Sequence, residues 1–218
     1  MKFLSSLFFT LAMFIALSSC AQKTKSQQIS SPKKDLSKYS QATFAAGCFW
    51  HEEALFESVK GVQEAISGYA GGKTKNPSYE ELENGTTGHA ETVNVYYDSS
   101  VITYPTLLKI YFAAQDPTSV NGQSPDFGTQ YRSILFYRNN TEKLLAENYI
   151  KQLTASGKYK KPIAVQVVPF TKLWQAEDYH QDFIQHNPDQ GYVQAVSIPE
   201  IKKFQKEYSQ LIKKDHIF

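Results

Sequence analysis

Ala42-Thr43-Phe44-Ala45-Ala46-Gly47-Cys48-Phe49-Trp50-His51 decides how this chain is read. Ala42 to Ala46 has strand character, Gly47 breaks it, and Trp50 to Val59 carries a helical pattern. This step leaves Cys48 at a helix N-terminus, where unpaired backbone N–H groups favour thiolate over thiol. Two aromatic side chains, Phe49 and Trp50, follow at once. A nucleophile beside an apolar wall suits chemistry on a small, partly apolar group.

Outward from this step, strands and helices interleave. Thr92 to Tyr97 alternates like a strand with one buried face, Val93, Val95 and Tyr97 pointing inward. Pro105 opens a helix with Leu107, Leu108, Tyr111 and Phe112 on one side. Tyr131 to Arg138 is strand-like. Asn139 to Ser156 reads as a helix with Leu144, Leu145, Tyr149 and Leu153 inward and Gly157 as its stop. Ile163 to Val168 is an apolar run of strand length, and Ala176 to His186 is helical. Ser197-Ile198-Pro199-Glu200 reads as a capping box opening a final Lys-rich helix. The order β-α-β-β-α-β-α-β-α predicts an α+β fold, a two-layer α/β sandwich with a ferredoxin-like mixed sheet. Ser67 to Ala90 and Ala114 to Gln130 fit neither period. They are rich in Gly, Pro, Asn and Thr and read as long active-site loops.

The chain has only two cysteines, and the first has a different fate. Residues 1–19 open with Lys2, continue through an apolar Leu7 to Leu17, and end in small residues before Cys20. That is a secretory signal, short for a spanning helix. Leu17-Ser18-Ser19-Cys20 resembles the lipobox of bacterial lipoproteins, which implies cleavage before Cys20 and a lipid on its sulfur. Residues 20–41 are rich in Lys, Ser and Gln and read as a flexible tether, reaching roughly 25 Å for about 20 residues. Residues 42–218 read as one folded domain, the one that carries Cys48. The expected location is extracytoplasmic, lipid-anchored to a bacterial membrane at its periplasmic face or at the cell surface. Cys48 is then the one free thiol, and no disulfide can form within the mature chain.

Charge and composition exclude several classes. Residues 1–40 hold six Lys against one Asp, so the rest is net −3 within a whole-chain charge of +2. A mildly acidic domain has no nucleic-acid footprint. The 14 Phe and 14 Tyr supply much of the apolar area for one ordinary core. A monomer is expected. The five histidines and the free thiol show no zinc-type spacing, so no metal is expected, and His89 and His180 read as structural hydrogen-bonders, His180 at the edge of the site.

The two irregular stretches carry further motifs. Gly68-Tyr69-Ala70-Gly71-Gly72, Asn76-Pro77-Ser78-Tyr79 and Gly88-His89-Ala90-Glu91 lie in the first, and Gly128-Thr129-Gln130-Tyr131-Arg132-Ser133 closes the second. Together with Gly47-Cys48-Phe49-Trp50 and the later Ala176-Glu177-Asp178-Tyr179-His180-Gln181, their order and spacing resemble peptide methionine sulfoxide reductase A. The resemblance spans roughly residues 44 to 192. It implies reduction of methionine S-sulfoxide, free or in proteins, with no cofactor beyond a thiol reductant.

The residues suit that chemistry. Cys48 as thiolate attacks an electrophilic sulfur and becomes a sulfenic acid. Glu91, held protonated by burial, supplies a proton to the oxygen. Tyr79 and Tyr131 offer O–H donors to the developing oxyanion. Phe49 and Trp50 form a wall against the S-methyl group. The resemblance assigns these same roles and adds a supporting one for Asp126.

One departure bears on turnover. Relatives often carry a resolving cysteine after a Gly-Tyr pair near the C-terminus, yet Gly191-Tyr192 is followed by Val193. Another position, shortly before Gly-His-Ala-Glu, holds Glu83 or a neighbour. The expected reductant is therefore external: a thioredoxin-like protein, a glutaredoxin or a small thiol. The alternatives are a peroxidase-like single-thiol enzyme and a non-enzymatic binding lipoprotein. A papain-type hydrolase is disfavoured because Cys-Gly-Ser-Cys-Trp is absent.

Overall fold

The computed structural model describes residues 34–218; the signal, Cys20 and most of the tether lie outside the described residues. The described chain opens with β1 (Ser40–Ala45), α1 (Phe49–Glu57), β2 (Val62–Ala70) and α2 (Tyr79–Glu83). Next come β3 (Ala90–Tyr97), α3 (Tyr104–Ala113), the short β4 (Gly122–Gln123) and β5 (Asp126–Phe127), and β6 (Ile134–Tyr137). It ends with α4 (Asn140–Ala155), β7 (Gln166–Pro169), β8 (Trp174–Gln175), α5 (Phe183–His186) and α6 (Ile198–Glu207). β1 begins inside the stretch read as tether, at Ser40, because Ser40 and Gln41 pair with Tyr97 and Tyr96.

Six strands form one mixed sheet in the order β7-β6-β1-β3-β2-β8. Its middle, β6-β1-β3-β2, is antiparallel throughout and has the split βαβ arrangement of a ferredoxin-like sheet. β7 extends one edge in parallel with β6, and β8 extends the other antiparallel to β2. Period-2 alternation sorts the side chains. Phe44, Ala65, Tyr69, Val93, Val95 and Tyr97 join the main core with Leu55 and Phe56 of α1 and Leu107, Leu108 and Tyr111 of α3. Ala45, Ala70, Ala90, Ile134 and Phe136 face the other way into a smaller cluster closed by Val168, Phe170 and Leu173. Both faces of β3 are therefore covered, unlike the one-faced burial expected from its alternation. Thr43 and Asn94 on that second face bond each other at 2.7 Å and take Arg138 as a shared donor.

Several elements differ from the sequence expectation. The supposed loop from Ser67 contains the end of β2 and all of α2, whose capping box is Ser78–Glu81. Tyr131 ends a short 3-10 turn (Thr129–Tyr131), so β6 starts only at Ile134. The 176–186 stretch is two single turns, Asp178–His180 and α5, split by Asp182 in the left-handed region at φ +52°. Ser197 caps nothing. It lies inside a π-type turn, Val193–Ser197, that runs straight into α6, and its buried hydroxyl has no partner. In α4, Leu145, Tyr149 and Leu153 pack on the core as expected, but Leu144 is exposed. No helix among the described residues is long and apolar enough to cross a membrane.

Candidate active site

The turn between β1 and α1 brings the site together. Gly47 adopts φ +81°, and a Cβ there would meet the Gln123 side chain at 2.8 Å, so the turn needs glycine twice over. Cys48 follows as the N-cap of α1 in extended conformation. Its thiol is only partly accessible.

Glu91 arrives from the sheet. It belongs to β3, not to the preceding loop, and sits opposite Tyr69 of β2. Two and four residues on, Val93 and Val95 occupy the same face, so alternation aims Glu91 at the start of α1. There its Oε2 accepts the Phe49 N–H at 2.8 Å. That amide is one of the orphan donors at a helix start. Burial raises the Glu91 pKa well above the carboxylate range against the pull of this one hydrogen bond, with Glu83 and Asp126 adding to the rise. Glu91 is held as the neutral acid, as the sequence expects.

Cys48 differs from expectation. Burial and then the Glu91 charge push its pKa up, and the Trp50 and His51 amides only partly offset them. The helix N-terminus does favour thiolate, but desolvation outweighs it, so the resting residue is a thiol. Protonation of Glu91 removes its charge and leaves desolvation and the Asp126 charge against the two amides.

Tyr79, the first residue of α2, and Tyr131 both have raised pKa values, caused first by burial and next by the Glu91 charge. The Tyr131 hydroxyl donates to Glu83 Oε1 at 3.0 Å. Asp126 accepts from the Tyr192 hydroxyl, which is also in hydrogen-bonding contact with Cys48. In the sequence Tyr192 stands out only as the neighbour of Val193; nothing in its spacing marks it as a group at the thiol.

The aromatic pair divides its labour. Phe49 is 1 % exposed and lies beneath the site, its ring against Tyr79, Tyr69 and His180. Trp50 keeps partial exposure and stacks on Phe183 with centroids 3.7 Å apart. Its indole N–H donates to His180 Nδ1 at 2.9 Å, which assigns the proton of this neutral ring to Nε2. Burial lowers the His180 pKa to about 4. Glu177 completes the support, accepting the Tyr69 hydroxyl at 2.6 Å and the Tyr79 N–H at 3.0 Å. His89 is structural as expected, bridging Gly72 N–H at 3.0 Å and Thr74 O at 2.9 Å.

A cleft of about 450 Å³ opens at Cys48, with Asp126, Tyr192, His51 and residues of α6 among its walls. Among the described residues, the carboxylates close enough to share a cation are Glu53, Glu57 and Asp182, within 4.8 Å of one another. None of them lines this cleft.

The family model for peptide methionine sulfoxide reductase matches residues 40–212. Two proteins named peptide methionine sulfoxide reductase MsrA are each 46 % identical. The one from Picrophilus torridus aligns over 75 % of this chain and 92 % of its own length. The one from Sulfolobus acidocaldarius aligns over 77 % and 94 %. Among solved structures, reduced Mxr1 from Saccharomyces cerevisiae superposes with a TM-score of 0.67 at 32 % identity, covering 72 % of this chain and 91 % of its own. Methionine sulfoxide reductase A of Corynebacterium diphtheriae gives 0.61 at 33 %, covering 68 % and 74 %. With the matched family model spanning the whole sheet and the Cys48 turn, the chain belongs to the peptide methionine sulfoxide reductase family.

Proposed function

We propose that the protein reduces methionine S-sulfoxide, free or in proteins, through a Cys48 sulfenic acid that an external thiol then reduces. The observation that carries this reading is the buried, neutral Glu91 fixed at the start of the nucleophile's own helix. The sulfoxide sulfur meets Cys48 while its oxygen is directed at Glu91, Tyr79 and Tyr131. Attack by Cys48 forms a sulfur–sulfur contact as Glu91 protonates the oxygen. The oxygen then passes to the Cys48 sulfur as hydroxyl, and methionine departs. The substrate sulfur gains two electrons, the cysteine sulfur loses two, and the thiol proton returns Glu91 to its acid form. The raised thiol pKa is consistent with this exchange: each group holds one proton at rest and one proton is consumed.

Trp50, backed by Phe49 and set by His180, offers an apolar surface to the S-methyl group. Asp126 acts through Tyr192, whose hydroxyl it holds against Cys48. No cofactor is needed. Val193 occupies the resolving position after Gly191-Tyr192 and is buried, so the second reduction is supplied by a thioredoxin-like protein, a glutaredoxin or a small thiol. The lipobox-like end at Cys20 supports export and lipid anchoring, placing this repair outside the cytoplasm.

Dithiothreitol-driven reduction of each methionine sulfoxide epimer tests the reading. Wild type is expected to turn over the S epimer alone, and Cys48→Ser neither. Turnover of neither epimer by wild type defeats the reductase, and unchanged turnover in Cys48→Ser defeats the nucleophile.

A further inference from the structure

Two sets of groups with different chemistry surround Cys48. On one side stand Glu91, Tyr79, Tyr131 and the aromatic wall. On the other is the cleft of about 450 Å³, which none of Glu91, Tyr79, Tyr131, Phe49 and Trp50 lines. Its charged groups are Asp116, Asp126, Glu200 and Glu207 against Lys203 alone. His51 also lines it. The residue is 7 % exposed, its Nδ1 has no hydrogen-bond partner, and Glu200 Oε2 lies 3.8 Å away. A buried ring nitrogen without a hydrogen-bond partner leaves polar capacity unused beside the cleft wall. The volume lies in the small-molecule range, roughly 300–1,000 Å³.

We infer that this cleft is the route by which a low-molecular-weight thiol reduces the Cys48 sulfenic acid, and that its acidic walls select neutral or cationic thiols over anionic ones. The inference rests on the reductase reading above. Displacement at sulfur runs in line, with the incoming thiolate and the departing oxygen on opposite sides. An oxygen delivered from the Glu91 side sits where Glu91 can protonate it as it leaves. The thiolate must then come from the cleft. The first thiol forms a sulfur–sulfur bond to Cys48 as the sulfur–oxygen bond breaks, releasing water. A second thiol attacks the outer sulfur of the mixed disulfide, releasing the external disulfide and restoring Cys48. The net reaction converts two thiols and the sulfoxide into a disulfide, methionine and water. A cleft of one charge sign raises the local concentration of oppositely charged reactants and repels the rest.

The test uses full-length protein oxidised by one equivalent of methionine sulfoxide without reductant. The burst of methionine is recorded first. Loss of the sulfenic acid is then followed with cysteamine, 2-mercaptoethanol or 2-mercaptoethanesulfonate, each rate corrected to its thiolate fraction. Cysteamine is expected to outpace the sulfonate on the order of tenfold at low salt, with the neutral thiol between them. Raising ionic strength from about 0.02 M to about 0.5 M should compress that ratio. So should the exposed double substitution Glu200→Gln, Glu207→Gln. A normal burst without charge discrimination, or a ratio indifferent to both salt and substitution, overturns the cleft assignment alone. Absence of the burst overturns the reductase reading and the inference with it.

Discussion

Two regions that support the Cys48 turn are built by different means. The first, β1 and α1 together with the β3 strand that carries Glu91, is held by regular elements: β1 is laddered to β3 and β6, and α1 is buried along nearly its whole length. The second, from Trp174 to Ser197, is a chain of single turns that depends on individual side chains. Gln181 accepts the Ser67 N–H and donates to the Ser67 and Ala176 carbonyls, each at 3.1 Å. Glu177 ties Tyr69 and Tyr79 to the same stretch. Backbone ladders spread the cost of any one change. A turn tied by one amide or one carboxylate does not, so the two stretches should respond differently to point substitutions.

The largest expected effect falls on chemistry in the regular stretch. Glu91→Gln keeps shape and can still accept the Phe49 N–H, yet loses the proton donor. Turnover of the sulfoxide should fall on the order of 10²–10⁴-fold while the thermal midpoint changes little. A comparable loss of folding stability would show Glu91 to be structural first.

In the irregular stretch the order reverses. Gln181→Ala strips Ser67 and Ala176 of three bonds at the edge of β2 and should cost about 1–3 kcal/mol in denaturant unfolding. Activity should suffer through looser support of Trp50 and His180 rather than lost chemistry. A stability change within error would mean that the ladder, not the side chain, holds this segment.

A third expectation concerns the carboxylates on the inner side of α1. Burial raises the pKa of Glu53 to about 9 and of Glu57 to about 7, from an ordinary 4.5. The folded state thus binds more protons than the unfolded chain across that interval. Stability present below the ordinary value is lost progressively as pH rises toward about 7 for Glu57 and about 9 for Glu53. The thermal midpoint should drop between about pH 6 and about pH 9, and Glu53→Gln should flatten the drop. A midpoint rising with pH would contradict these environments.

The smallest effect separates two readings of one residue. As an N-cap, Ser197 would lose about 1 kcal/mol on substitution by alanine. As a buried hydroxyl without a partner, it should lose nothing measurable and could gain slightly. Urea unfolding of Ser197→Ala distinguishes them.

The same contrast explains what was legible beforehand. Cys48, Glu91 and the aromatics stand in or beside elements whose period is visible in the residues, and the order of strands and helices carries the ferredoxin-like sheet. Tyr79 and Tyr131 drew attention only through their motifs; in the structure both are partly buried and feel the Glu91 charge. The 176–186 stretch misled because its apolar spacing suits a helix; the left-handed Asp182 and the side-chain bonds of Gln181 that break it have no periodic signature. Ser197-x-x-Glu200 has the composition of a capping box, but the chain entering it is already helical, so the side chain has no free amide to accept. Tyr192 reached the site through the fold alone. The thiol's state also depends on packing: a helix start is readable, whereas the desolvation that outweighs it is not.

The central claim is that Cys48 carries the oxidation by itself and is rescued from outside. Single-turnover oxidation of the full chain with methionine S-sulfoxide, without reductant and in the presence of dimedone, addresses it most directly. The account predicts a methionine burst equal to the amount of protein and a dimedone adduct on Cys48 in an otherwise unlinked monomer. A chain that releases methionine but resists dimedone because Cys48 is joined to Cys20 in a disulfide would contradict it.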